Sequence, residues 1–479
     1  MKMPVNRITL TAITLALLGA CTMGPNYVRP AMETPAAFKE LGNWKTAEPR
    51  DQEIRGKWWE GFNDPLLNSL EDQVDISNQT LAQAEARYRQ ASAATREARA
   101  AYFPTISGSL SARRTSSPAT RSDGGGDSNS FSLGVNAAWE PDLWGRIRRT
   151  VEASSASAQA SAADLEAARL STHAQLAQTY FQLRTLDAQM QLLDRTLLDY
   201  ARSVKLTENQ YNAGQVAKAN LILAQTQQKS AQAQRLDLGI QRAQLEHAIA
   251  VLIGKAPAEF SITAAPLAAA LPVLPVGLPS SLLERRPDIA AAERRVAAAN
   301  AQIGVAKTAY FPDLSLTGSI GSQGSTIAQL LSLPNRVWSF GPALALTLFD
   351  AGARKAQTDQ AIAAHEGSVA AYRQTVLSGF QEVEDNLVAL RVLDQEAQIQ
   401  NEALQLARQS VTIANNQYRA GIVDYLNVIS AQTTALNSER NAVEILNRRL
   451  NASVLLVKAL GGGWRAAALE NPDGRVQQK

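Results

Sequence analysis

The sequence predicts a mainly helical α+β chain, one unit duplicated, in which pairs of amphipathic strands interrupt very long helices. Three observations lead there. Residues 209–226 return as 416–433 with eleven of eighteen positions identical and no gap. Ala101-Tyr102-Phe103-Pro104 likewise returns as Ala309-Tyr310-Phe311-Pro312, and two landmarks recurring in one order mark an internal repeat. Four short segments also alternate apolar and polar residues with a period of two. Finally, no proline occurs between Trp144-Gly145 and about Leu206, so nothing interrupts a helix there.

The chain has 479 residues, 45% hydrophobic and only 6% aromatic. Alanine supplies much of the apolar content, which suits long, closely packed helices better than several thick cores. The 47 basic and 44 acidic residues form no run of either sign, so nucleic acid is excluded as an expected partner. Residues 1–20 read as a secretory signal, with Lys2 and Arg7 ahead of an apolar run over residues 8–18. That run ends Leu18-Gly19-Ala20-Cys21, which resembles a bacterial lipobox. Cys21, the only cysteine, is then the lipidated first residue of the mature chain. An ordinary signal peptide with a chance cysteine is the plainer alternative. No other stretch approaches the roughly 20 apolar residues of a membrane-spanning helix.

Residues 21–64 form the lipidated N-terminal segment. The first repeat, 65–253, opens with a helix and continues into strands at about 104–113 and 130–140. In the first strand Ile106, Gly108, Leu110 and Ala112 alternate with Ser107, Ser109, Ser111 and Arg113. In the second, Phe131, Leu133, Val135, Ala137 and Trp139 do the same. Such alternation is a strand with one apolar and one polar face. Each is about 10 residues long, enough to cross a bilayer when tilted. Tyr102, Phe103, Trp139, Trp144, Tyr310, Phe311 and Trp338 cluster at strand ends, as in an aromatic girdle. A soluble sandwich with one solvated face fits the strand pattern equally well.

The helices decide between these. Over about 146–207, Ala153, Ala156, Ala160, Ala163, Ala167, Leu170, Ala174, Ala177 and Phe181 form a heptad seam. Some sixty residues make a rod of about 90 Å. Gly214 ends it, a second helix runs back over about 217–253, and a proline-rich connector fills 254–281. The second repeat, 282–460, has a helix, strands at about 312–321 and 337–349, and helices at about 353–413 and 424–460. A tail follows over 461–479. Four strands cannot close a barrel, and lipid does not tolerate open edges. Two copies give eight strands and a filled interior, and three give twelve and an aqueous passage.

The chain also resembles a known family: the TolC-like outer-membrane factors, in the lipoprotein branch serving resistance-nodulation-division (RND) efflux pumps. The resemblance rests on Pro25-Asn26-Tyr27-Val28-Arg29-Pro30, on Trp58-Trp59 with Phe62-Asn63-Asp64-Pro65-Leu66, and on Leu283-Glu284-Arg285-Arg286-Pro287-Asp288-Ile289. The two Tyr-x-Ala-Gly turns complete it. It implies a homotrimer with a twelve-stranded barrel in outer-membrane lipid and a twelve-helix barrel in the periplasm. Such a duct exports drugs or other small toxic compounds. Its tips, here Gly214, Gln215, Val216, Gly421, Ile422 and Val423, would meet a periplasmic adaptor (a membrane fusion protein) joined to an inner-membrane RND pump. By position the resemblance puts a periplasmic gate at Asp424, Leu426 and Ser430, with Tyr418 as a latch and Arg419 as its candidate basic partner. Members often carry a second acid where this chain has Asn427 or Ser430.

Enzyme signatures are missing. His173, His247 and His365 are far apart and read as surface residues on polar helix faces, there is no metal spacing or phosphate loop, and Glu382, Glu384 and Asp385 read as a solvated face. Apart from the lipid on Cys21, no cofactor or metal is expected. An exit duct for type I protein secretion would share the fold, though the lipobox argues against it. A trimeric coiled-coil surface protein would carry strands only at one end of the chain.

Overall fold

The computed structural model describes residues 22–41, 56–116, 126–267, 271–272 and 285–464. The signal segment, Cys21, Leu283, Glu284 and the tail from 465 onward lie outside the described residues. The elements come in two series. The first is α1 (Pro65–Ser77), α2 (Gln79–Ala100), β1 (Thr105–Ser116), β2 (Asp127–Trp139), α3 (Arg146–Asn212) and α4 (Lys218–Leu252). The second is α5 (Pro287–Thr308), β3 (Asp313–Gly324), β4 (Arg336–Ala345), α6 (Ala353–Arg419) and α7 (Tyr425–Ala459). Matching helices have equal length: 22 residues in α2 and α5, 67 in α3 and α6, 35 in α4 and α7. Both long helices run five or six residues past the sequence expectation, because the stop is the left-handed glycine itself rather than the loss of apolar periodicity. No helix among the described residues is long and apolar enough to cross a membrane.

Two compact units form. The first, from described residues 22–31, 87–116, 126–161 and 291–372, holds one antiparallel sheet in the order β1-β2-β3-β4. Paired residues in such a sheet share a face. Ile106, Leu110, Leu133, Val135, Trp139, Ile320, Trp338, Phe340 and Leu344 therefore lie on one side, each well exposed. The other side carries hydroxyl pairs: Ser111 with Ser132 at 2.7 Å and Ser319 with Ser339 at 2.8 Å. β1, β2 and β3 extend into polar residues that the alternation did not reach. β4 stops at Ala345, short of the expected 349, because its partner β3 begins opposite at Asp313. Pro342 sits in β4, an edge strand, where a missing N–H is tolerated.

In the same unit the segment after Cys21 is tied to the start of α3. Met23 N–H donates to Trp144 O at 3.2 Å, and Arg148 Nη1 donates to Thr22 Oγ1 at 2.7 Å. Arg149, almost fully buried, donates to Met23 O and Asn26 Oδ1. Tyr27 Oη donates to Glu293 and Asn300 Nδ2 to Pro25 O, so the Pro-Asn-Tyr-Val-Arg-Pro stretch is a clamp against α5.

The second unit comprises described residues 32–41, 56–86, 162–267, 271–272, 285–290 and 373–464. A short 3-10 turn, Trp58–Phe62, inserts its aromatic rings into a core with Leu67, Leu70 and Val74 of α1, Phe181 of α3 and Leu456 of α7. Asp64 then caps α1 by accepting from Leu66 N–H and Leu67 N–H, and also receives Tyr180 Oη at 2.6 Å.

Both repeats close on themselves in the same way. Gly254, just after α4, has φ +69°, and a Cβ there would lie 2.2 Å from Ser77 O. Gly461, just after α7, has φ +89°, and its Cβ would lie 2.0 Å from Arg285 O. Asn78 Nδ2 donates to Leu252 O at 2.6 Å, and at the equivalent place Arg286 Nη1 donates to Ala459 O at 3.1 Å. We expect Gly254→Ala to cost about 2 kcal/mol or more, through left-handed strain plus a backbone collision. Gly214→Ala, where a Cβ meets nothing within 4 Å, should cost only the strain, about 1–2 kcal/mol. Thermal unfolding of the purified protein checks the ordering; equal losses would refute the close approach.

The sequence expectation for histidine needs correction. His247 is exposed, but His173 is buried. Its Nδ1 sits 2.7 Å from Glu71 Oε2 and its Nε2 3.4 Å from Asp75, which also pairs with Arg169. Trp59 stacks on the imidazole at 4.4 Å. Burial pushes the Glu71 carboxyl up to about 7, against the pull of His173. Burial alone would lower His173, but Asp75 and Glu71 outweigh it and raise it to about 9. The acids of α6 keep solvent contact but are not idle: Glu382, its side chain 46% exposed, accepts from Arg286 at 2.7 Å, and the half-buried Glu384 accepts the N–H groups of Lys39 and Glu40.

Candidate gate at the turns of the two repeats

The turns lie wholly within the second unit. At the end of α3, Gly214 adopts φ +71° and Gln215 N–H donates to Gln210 O at 2.8 Å. At the end of α6, Gly421 adopts φ +72° and Ile422 N–H donates to Gln417 O at 2.9 Å. This left-handed residue with a six-to-one bond is the Schellman closure of a helix, made twice at a spacing of 207. Gly214, Gln215, Gly421 and Ile422 are exposed, and Val216 and Val423 half-buried. Ile422 presents 71% of its surface.

Beyond the backbone the two turns diverge. Tyr418 is 6% exposed and Tyr211 38%. Tyr418 Oη donates to Gln210 Oε1 at 2.6 Å, and its ring lies 5.2 Å from that of Tyr425. Arg419, the basic partner considered from sequence, does not bond it; the partner is an amide on α3. Tyr425 is buried, which pushes its phenol up to about 12 despite a hydrogen bond with Ser203. The first repeat has Lys218 at the equivalent position, exposed. A third contact set ties the bundle above: Gln227 Nε2 donates to Tyr200 Oη at 3.0 Å and to Thr433 Oγ1 at 3.1 Å. Ala224, Ala414, Val428 and Ala431 pack around the tyrosine pair. Sequence reasoning missed Gln210 and Tyr425; the signal was there, since position 425 is aromatic in one copy and Lys218 in the other.

Asp424 is the N-cap of α7, yet its side chain makes no capping hydrogen bond and is exposed. An aspartate there ordinarily accepts from the first turn; here the carboxylate is left to solvent. Leu426 is 61% exposed, and Ser430, one turn on, is exposed as well. Leu426 and Ser430, four residues apart, share the face of α7 opposite the buried Tyr425, Val428 and Ala431, and Asp424 stands just ahead of the helix. None of the three belongs to the buried cluster around the tyrosines. No group of acids, histidines or cysteines that could hold a metal occurs among the described residues.

The family profile described as outer membrane efflux protein matches residues 70–255 and 278–462. The solvent efflux pump outer membrane protein SrpC of Pseudomonas putida is 32% identical over 468 residues, 95% of this chain and 98% of that one. The pyoverdine export outer membrane protein OpmQ of Pseudomonas aeruginosa is 32% identical over 462 residues, 94% of this chain and 95% of that one. Among solved structures, the outer-membrane channel OprN superposes with a TM-score of 0.86 at 31% identity, over 93% of this chain and all of that one.

Proposed function

Because the chain belongs to the outer membrane efflux protein family and is an outer-membrane exit duct with the TolC-like fold, we propose that three copies form one gated channel. The observation that carries this is the sheet: four strands, one predominantly apolar face, and two open edges. In lipid every edge must be paired, and three such sheets give twelve strands around an aqueous lumen. The hydroxyl-lined side then faces the lumen and the apolar side the membrane. Cys21 carries a covalent lipid, and the segment that follows it, from Thr22, is bonded to the start of α3.

The turns at Gly214 and Gly421 seat a periplasmic adaptor joined to an inner-membrane RND pump, which supplies the energy. The duct itself has no chemistry to perform. The gate is at the second turn. Three copies of Asp424 make a ring of unpaired carboxylates that favours cations and resists anions, and Leu426 narrows the same level with an apolar collar. Tyr418 and Gln210 latch the α6 end to α3. Substrate choice belongs to the pump: relatives of equal similarity are named for solvents in one case and for pyoverdine in the other.

Deleting the gene in a strain without redundant ducts is expected to sensitise cells to drugs, dyes or solvents in growth-inhibition assays. Unchanged susceptibility would overturn the efflux assignment to small toxic compounds.

A further inference from the structure

The four strands carry five charged residues: Arg113, Arg114, Asp127, Asp313 and Arg336. Asp313 lies where β3 leaves α5. The other four lie at the opposite end of the sheet, next to the connecting loops, three of them arginine. The register separates these arginines by face. Arg113 pairs with Ser130 and shares the polar side. Arg114 pairs with Asn129, and Arg336 with Ser322 in the row that alternates with Ile320 and Trp338. Both therefore stand on the apolar side, at its outer limit. Arg336 is exposed and Trp338, two residues further along the same face, is 78% exposed. Arg114 Nη2 is steadied by Asp127 Oδ2 at 2.6 Å, which leaves its other N–H groups to bond elsewhere.

A lipid-facing arginine is costly unless its long side chain reaches an anionic headgroup. Two at one end, beside an interfacial tryptophan, match a layer of phosphates there. The loop end of the strands is the end away from the periplasmic helices, so that layer is the outer leaflet. We infer that Arg114 and Arg336 form a binding rim for the phosphate groups of lipopolysaccharide, the anionic glycolipid of that leaflet. Guanidinium forks suit phosphate oxygens, and three copies would present six of them. The inference rests on the outward placement of the apolar face in the proposed barrel.

The test uses full-length protein purified in detergent and mixed with purified lipopolysaccharide or with phosphatidylglycerol, bound lipid being read by native mass spectrometry. R114E/R336E is expected to bind lipopolysaccharide about tenfold more weakly. R113E, one charge reversal on the opposite face, should bind as the native protein does, whereas R336E, the matched single reversal, should lose part of the binding. R336Q provides a milder variant in case the double reversal misfolds, and should show a partial loss. Equal losses in R113E and R336Q, or undiminished binding in R114E/R336E, would overturn the rim. Native binding of phosphatidylglycerol as tight as that of lipopolysaccharide would also overturn it. Channel formation in planar bilayers is recorded for each protein: native protein that forms no channels refutes the barrel, whereas channels with unaltered lipid binding refute only the rim.

Discussion

Leu426→Ser and Asp424→Ala should each raise single-channel conductance in planar bilayers severalfold over the native protein. The expectation follows from what these side chains do not do. Leu426 is 61% exposed, and Asp424 declines its capping bond, so neither variant removes a buried side chain or a capping hydrogen bond. Any change must come from the space they bound in the assembly. The two variants should differ in selectivity. Loss of the carboxylate ring relaxes cation preference, whereas loss of the leucine collar widens the passage and leaves that preference in place. Tyr418→Phe is an internal comparison, since it releases the bond to Gln210 while keeping the ring against Tyr425. Conductance unaltered in both Leu426→Ser and Asp424→Ala would remove the gate from this turn.

The largest expected loss of stability is at His173. Replacing it by Leu leaves the Glu71 carboxyl at 0% exposure with no cation beside it, and breaking a buried pair in this way costs about 3–5 kcal/mol. The double variant E71L/H173L should regain most of that, because two apolar side chains need no partner. The native pair also sets a pH dependence. Glu71 is raised from 4.5 to about 7 and His173 from 6.5 to about 9. Both groups thus hold protons more tightly in the folded chain than in the unfolded one. Their contribution is complete below the unfolded values and is lost as pH rises through the folded ones. These two groups should therefore withdraw thermal stability as pH rises from about 4.5 to 9, Glu71 up to about 7 and His173 from about 6.5 onward. Asp75, which burial would raise but His173 and Arg169 hold below its ordinary value, stays charged throughout that interval. A flat profile in the native protein, or an undiminished slope in E71L/H173L, would refute the assignment.

What the sequence made legible was what repeats or alternates. The spacing of 207 between Gly214 and Gly421 marked both turns, and the period of two marked all four strands. The polar ends of the strands escaped, since Ser128, Asn129 and Gln323 hold their places by ladder bonds with residues on another strand. The apolar run through Leu346 and Leu348 misled in the other direction, because a strand ends where its partner ends. Buried ion pairs were invisible. Glu71 and His173 stand 102 residues apart, and no local pattern distinguishes them from an acid and a histidine on wet faces. The pairing of buried Arg286 with half-exposed Glu382 was equally unreadable. At the candidate gate, position and residue type were readable, while the Tyr418 bond to Gln210 needed the packing of α3 against α6.

The paired closures at Gly254 and Gly461 bear on how such a chain arises. In each repeat the backbone that leaves the last helix presses on the backbone just ahead of the 22-residue helix, at Ser77 before α2 and at Arg285 before α5. Entry and exit are thus one place. A module of this kind can be copied in tandem with a connector added, because its ends already satisfy each other and the copies then meet by pairing β2 with β3. The order in which the two modules are strung is then a matter of genetic history, and circular permutation through the connector would preserve every contact that defines either one.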